Sequence, residues 1–263
     1  EERKRLEKSD AQICHNVAKQ YHEGNKLYEG VIATVRKAKA AGAQFVLYTD
    51  SPASGAIARM ADMNFPIDLV DGLVCRADGT TEMVDGKVQF KKAPLQVTGG
   101  RYDGYRDQLV AKLGDKLVMN AGDVWKPNMD VMQSIMDRHG AKAEETVMVG
   151  DNIKSDGGAV RLGCHFAWQK EGSEVCAEAQ TMYSKINEMS DYKVGSKAHL
   201  ETLAKMSAAD PKLGQQYKDK MVTLEGGFKD LNKYFRFQSA EKSKDQSKAM
   251  AMASALRAKQ AGR

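Results

Sequence analysis

Two carboxylates, Asp151 and Asp156, stand in the segment Gly150-Asp151-Asn152-Ile153-Lys154-Ser155-Asp156-Gly157-Gly158. The segment follows a short β-rich apolar run, Thr146 to Val149, and leads into small residues that can open a helix over Gly158 to Leu162. In an open α/β sheet, ligands bind beyond the carboxyl ends of the strands. Two carboxylates held together there repel one another unless a positive charge lies between them. A hard divalent cation such as Mg²⁺ suits that place, because it takes few protein carboxylates and keeps several waters. The competing account is an ordinary loop with two solvated aspartates, and this segment alone does not decide between them.

Two further stretches bear on the choice. In Gln44-Phe45-Val46-Leu47-Tyr48-Thr49-Asp50-Ser51-Pro52 a strand ends in a hydroxyl residue. Thr49 and the backbone N–H groups after it suit phosphate oxygens, helped by the N-terminus of the next helix, Ser54 to Met63. Alternatively, Thr49 merely caps that helix. In Trp125-Lys126-Pro127-Asn128-Met129 a lysine precedes a helix start, with Pro127 suited to the first turn. An ammonium there offsets phosphate and carboxylate charge.

A strand-end Thr, a helix-start Lys and an Asp-x-x-x-x-Asp loop, in that order, resemble motifs two, three and four of the haloacid dehalogenase (HAD) superfamily. The similarity runs from about Leu27 to about Leu203. It implies that Thr49 and Lys126 hold a phosphoryl group with Asp50 beside them. It implies also that Asp151 and Asp156 hold Mg²⁺, Asp156 either as a second ligand or behind the first. Lys126 and Asp151 are then the catalytic residues of the chain. The family's first motif, Asp-x-Asp-x-Thr at the end of the first strand, supplies the nucleophile and the acid/base. Nothing ahead of Leu27 matches it: Asp10 sits in a polar stretch, and Asp78-Gly79-Thr80 follows Arg76-Ala77 and reads as a hairpin turn. The implied function is a Mg²⁺-dependent phosphohydrolase working through an aspartyl-phosphate on a phosphorylated small molecule, with its nucleophile outside these residues. The alternative is a non-catalytic HAD-like module that binds through its C-terminal extension.

The elements that must position these residues alternate. Gly30 to Ala41 makes a helix with Val31, Ile32, Val35 and Ala38 on one face and Gly42 as its cap. A strand falls at Ile67–Val70 or Leu73–Cys75, and Asp85-Gly86 signals a hairpin. Tyr102, Tyr105, Arg101 and Arg106 either line the mouth of the site or sit in a surface loop. Gln108–Leu113 is a helix and Lys116–Met119 a strand. The stripe Met129, Met132, Ile135 and Met136 is the core face of the next helix, ended by Gly140. Cys164–Trp168 is a strand, with His165 structural; Ser173–Glu188 is a helix, Tyr192–Val194 a strand and Ala198–Met206 a helix. Such alternation predicts an α/β fold, a doubly wound parallel sheet of HAD-like, Rossmann type. It carries a small β insertion, about 72–107, and a helical C-terminal extension. The expected domains are an N-terminal helical segment 1–26, a core 27–204 and a basic extension 205–263.

Composition sets the outer bounds. Hydrophobic residues at 42% are enough for a core, and 29% charged residues are ordinary for a soluble protein. No apolar run nears the roughly 18 residues of a membrane span, and none follows the charged start as a signal peptide would. The first residue is Glu1, so a cut or processed form of something longer is expected. Cys14, Cys75, Cys164 and Cys176 are scattered, which favours reduced thiols in a cytoplasmic compartment over zinc or disulfides. His15 and His22, seven apart on a helix, read as packing or surface rather than a metal pair. From Lys205 to Arg263 there are 13 lysines and arginines against 6 acids, net +7, which leaves −2 for the rest. Such asymmetry suits an acidic macromolecular partner. Aromatics mix with base only at Lys233-Tyr234-Phe235-Arg236-Phe237, a weak sign of nucleic acid. Tyr217, Met221 and Leu224, then Phe228, Leu231 and Phe235, suggest two further helices.

Overall fold

The computed structural model describes residues 26–85, 87–95, 100, 102–122, 124–174 and 195–235. The expectations for 1–25 with His15 and His22, for Cys176, for most of the Ser173–Glu188 helix, for Tyr192–Val194 and for the tail beyond 235 lie outside these residues. The fold is mixed α/β with parallel sheets. In chain order the main elements are α1 (Val31–Ala40), β1 (Val46–Pro52), α2 (Ala53–Asp62), β2 (Gly72–Arg76), β3 (Gly79–Val84), β4 (Lys87–Lys92), α3 (Asp103–Leu113) and β5 (Leu117–Asn120). Then come α4 (Met129–His139), β6 (Val147–Gly150), a 3-10 helix (Asp156–Leu162), β7 (His165–Trp168), α5 (Ser196–Ala209), α6 (Pro211–Lys220), β8 (Met221–Thr223) and α7 (Leu231–Tyr234). The chain forms two compact units, Glu1–Tyr28 with Val46–Trp125, and Glu29–Phe45 with Lys126–Arg263. Among the described residues no helix is long and apolar enough to cross a membrane.

The first unit is built on a parallel sheet of order β1-β2-β5. Its middle strand is buried from Gly72 to Cys75, as the near-continuous apolar run Gly72-Leu73-Val74-Cys75 requires. This selects the later of the two strand positions considered from sequence; Ile67–Leu69 is a 3-10 turn. Strand β1 pairs regularly through Tyr48 opposite Val74, and next at Pro52 opposite Arg76. Three residues, Thr49, Asp50 and Ser51, therefore bulge against Cys75 alone. The strand outruns its expected end at Thr49, but the regular ladder stops where that residue begins.

The β insertion is an antiparallel hairpin, β3 with β4, with Asp85 at its turn at φ 51°. Asp78-Gly79 is not a hairpin turn, as the sequence suggested. Asp78 accepts hydrogen bonds from Ser54 N (3.0 Å) and Ser54 Oγ (2.5 Å), so it caps α2 from the base of the hairpin. Tyr102 and Tyr105 do not lie in a surface loop. Tyr102 stands at the start of α3 and Tyr105 within it. Their hydroxyls donate to Asp62 Oδ1 and the Phe65 carbonyl, each at 2.7 Å, tying α3 to the end of α2.

The second unit has a parallel sheet of order β6-β7-β8. Its middle strand alternates as a two-sided strand must. Phe166 and Trp168 pack with Ile153, Val160, Leu213 and Tyr217, while Ala167 packs with Leu224 and Leu231. The third strand corrects the reading of Met221 as helical. Helix α6 stops at Lys220, and Met221-Val222-Thr223 pairs in parallel with Phe166-Ala167-Trp168. Its β-branched Val222 and Thr223 suit a strand, and Met221 and Val222 reach opposite clusters, which a continued helix would not allow. Two local expectations also change. Pro127 precedes the N-cap Asn128 rather than occupying the first turn of α4, and the segment after the acidic loop is 3-10 rather than α.

Phe166 is fully buried in the middle strand of this sheet. Phe166→Ala removes a ring and leaves a cavity, so unfolding free energy should fall by about 3–5 kcal/mol in a denaturant titration.

Candidate functional site

The acidic loop folds back on itself through one side chain. Asn152 Oδ1 accepts from the N–H groups of Lys154 and Ser155, each at 3.0 Å, and the Asn152 carbonyl accepts from Asp156 N at 2.8 Å. This tight turn carries Asp156 back beneath the end of β6. There Gly150 makes room: a Cβ on that residue would lie 2.2 Å from Asp156 Oδ2. Only glycine lets the strand end and the carboxylate approach so closely.

Asp156 is 4% exposed. Its Oδ1 receives Lys126 Nζ at 2.5 Å, and its Oδ2 receives the Asn152 N–H at 3.1 Å. Burial pushes its pKa up, and the nearby negative charge of Asp151 adds to this; the Lys126 ammonium pulls the other way without cancelling it. Lys126 is itself largely buried, its side chain 13% exposed. Two features set its position. Asn128 caps α4, accepting from Val131 N at 3.0 Å. Pro127 lies so close to the 3-10 helix that a Cβ on Gly158 would be 2.4 Å from Pro127 Cβ.

Three residues that sequence reasoning missed hold the loop from behind, and a fourth, His199, packs on one of them. The Trp168 indole N–H donates to the Asp151 carbonyl at 3.0 Å, and Ser173 Oγ donates to the same oxygen at 2.5 Å. The Tyr217 hydroxyl donates to the Ile153 carbonyl at 3.0 Å, and burial pushes its pKa up to about 12. His199 is 5% exposed, sets its ring edge-on to Trp168 at 6.3 Å, and has no hydrogen-bond partner at Nε2. Burial lowers its pKa despite the charges of Asp151, Asp156 and Glu174. The available signal was register: Trp168 pairs with Gly150, so it ends its strand where the acidic loop begins.

Thr49 and Asp50 belong to the first unit, in the β1 bulge. Thr49 Oγ1 accepts from Ser51 N at 3.1 Å, and the Asp50 carbonyl accepts from Arg76 Nε. Thr49 does not cap α2; Asp78 does. Within the second unit, Lys126 and Asp156 are in direct contact and Asp151 is near enough for its charge to act on Asp156. No group of three or more His, Cys, Asp or Glu side chains gathers at metal-binding distance among the described residues. Asp156 spends its oxygens on Lys126 and the Asn152 N–H, and Asp151 is the other carboxylate of the loop. One carboxylate completed by water and substrate oxygens fits Mg²⁺ and suits neither zinc nor calcium.

Lys126→Met should cost about 3–5 kcal/mol near neutral pH, because it leaves a buried carboxylate without its counterion. The loss should shrink as pH falls. Without the ammonium the folded-state pKa of Asp156 rises further above the unfolded value, so the folded state takes up the proton first and gains stability on acidification. Melting curves of both forms across pH check this. His165 and His199 act in the opposite sense: both have folded pKa values below 6.5, held down chiefly by burial. The unfolded chain therefore binds more protons below about pH 6.5, and stability falls as pH falls through that range. His199→Phe should flatten this decline, measured as melting temperature between about pH 7 and pH 5.

Residues 124–194 match the family model described as HAD-hydrolase-like. No curated protein matches the chain. The matched stretch contains Lys126, α4, β6, the loop from Asp151 to Asp156 and β7. Over residues 124–194 the chain is thus similar to HAD-like hydrolases.

Proposed function

We propose that the chain forms part of a Mg²⁺-dependent phosphohydrolase that acts on a phosphorylated small molecule. The observation that carries this is the Lys126–Asp156 pair at the carboxyl end of β6. A largely buried ammonium is fixed there by a carboxylate behind it, beside a second acidic side chain. An ammonium so held needs no reorganisation to meet an anion, the condition under which electrostatic stabilisation is strongest. Bound Mg²⁺ would screen the phosphoryl oxygens and stabilise charge that develops on them. Asp151 would hold it, Lys126 would neutralise a phosphoryl oxygen, and Asp156 would position Lys126. In the first unit, taken by itself, Thr49 and the backbone after it would suit a phosphate oxygen, with Asp50 beside them.

The reaction needs a carboxylate that attacks phosphorus and expels the alcohol, which takes a proton from a second acid. Water then attacks the aspartyl-phosphate, freeing phosphate and restoring the carboxylate. In the family this nucleophile ends a strand, and the outer edge of β6 can receive one. In a parallel strand, alternate residues direct both N–H and C=O to the same side. The carbonyls of Thr146 and Gly150 accept from β7 and the loop after it, so Val147 and Val149 turn their backbone groups to the opposite edge. No strand pairs with that edge among the described residues. Both faces of β6 pack against core clusters, yet all four of its residues are half-buried, as an open edge requires. Two buried free thiols, Cys75 and Cys164, suit a reducing, cytoplasmic compartment.

Mg²⁺ titration followed by thermal shift tests the reading. The wild-type chain should be stabilised by Mg²⁺, and Asp151→Asn should weaken binding by roughly tenfold or more, as loss of a ligand demands. Equal Mg²⁺ affinity in the two forms would remove Asp151 from the site. The chain alone should leave p-nitrophenyl phosphate intact; Mg²⁺-dependent turnover abolished by Asp151→Asn would show that the nucleophile is already present.

A further inference from the structure

We propose that Trp125 is a stacking platform for a planar heteroaromatic group on a small ligand of nucleoside size. The proposal stands on the first unit alone. Trp125 is 54% exposed, an unusual state for the largest apolar side chain. One ring face is covered, with the Arg76 guanidinium 3.8 Å from the ring centroid. With one face covered and more than half the residue accessible, the opposite face is open.

The ring is also fixed. Arg76 ends β2, the middle strand, and its Nε donates to the Asp50 carbonyl at the β1 bulge. Its Nη1 donates to the Gly122 carbonyl, beyond β5, at 2.8 Å. The guanidinium thus ties the carboxyl ends of all three strands together before it meets the indole. The loop beneath Trp125 is braced from the hairpin: a Cβ on Gly122 would lie 2.3 Å from the Phe90 ring. A surface indole would ordinarily lose rotamer freedom on binding, whereas this one is already held. It lies at the carboxyl edge of a parallel sheet, the edge where α/β folds bind ligands, and immediately before Lys126 in the chain. An aromatic face offers every flat ring a stacking surface, and the cation behind it polarises that surface further.

The test is adenosine titration followed by the indole N–H signals in NMR spectra of the full chain. Only two tryptophans are present, and Trp168 is buried in its own hydrogen bonds. The expected result is a saturable shift of the Trp125 signal with adenosine and none with ribose. Trp125→Ala should raise the adenosine Kd roughly tenfold or more, Trp125→Tyr should restore most of the affinity, and Arg76→Lys should weaken it several-fold. Trp125→Ala alters an exposed side chain, so its fold is retained. An unsaturable shift, equal shifts with ribose, or undiminished adenosine binding in Trp125→Ala would overturn the proposal. So would tight binding of a single-stranded oligonucleotide with no response to adenosine, which would mark a nucleic-acid surface instead. None of these outcomes depends on Mg²⁺ or Asp151, so this proposal and the phosphohydrolase reading can fail separately.

Discussion

A carboxylate taken out of water sets the terms for the second unit. Burial alone would drive Asp156 to its neutral form, and Lys126 opposes that at 2.5 Å without fully winning. Satisfying such a group takes more than a counterion. The Asn152 N–H occupies the other oxygen, the Asn152 side chain closes the turn that brings it there, and Gly150 gives the space. Each of these is a local necessity once the charge is buried. The loop's shape is therefore a consequence of solvating Asp156 with protein rather than water.

The second row of contacts follows the same logic one step out. The carbonyls of Asp151 and Ile153 leave the ladder at the end of β6 and need donors. Trp168, Ser173 and Tyr217 provide them, from the neighbouring strand, the segment after it and α6. All three donors are neutral and buried, so the loop gains partners without adding charge near the acidic pair. His199 is the exception. It is buried against Trp168 with an unpaired ring nitrogen, in the field of several acids.

What the sequence made legible was local. The periodicity of Val31 to Ala40, the glycine stop at 140 and the apolar run before Gly150 each predict their element to within a residue or two. Motif order singles out Lys126 and Asp156 although thirty positions separate them, and the structure places them in contact. What was not legible depends on tertiary partners. Met221 to Thr223 follows a helix without a glycine or proline between, and only the open side of β7 makes it a strand. Asp78 looked like a turn residue because its partner, Ser54, lies twenty-four positions earlier. Tyr217 and Ser173 carry no spacing that distinguishes a loop-holding hydroxyl from an ordinary one.

The cap that Asp78 places on α2 has a further meaning. The Asp78 carbonyl accepts from Ala93 N at 2.7 Å, so the hairpin closes on itself at its root, while the same residue's side chain is anchored in the sheet-bearing part of the unit. Distal to that root the two strands form a finger. It has a further tie in Phe90, whose ring reaches back to Gly122 beyond β5, so the part of the hairpin past Phe90 is the part farthest from the framework. Variation in what this protein contacts thus has a place to accumulate that does not disturb how it folds.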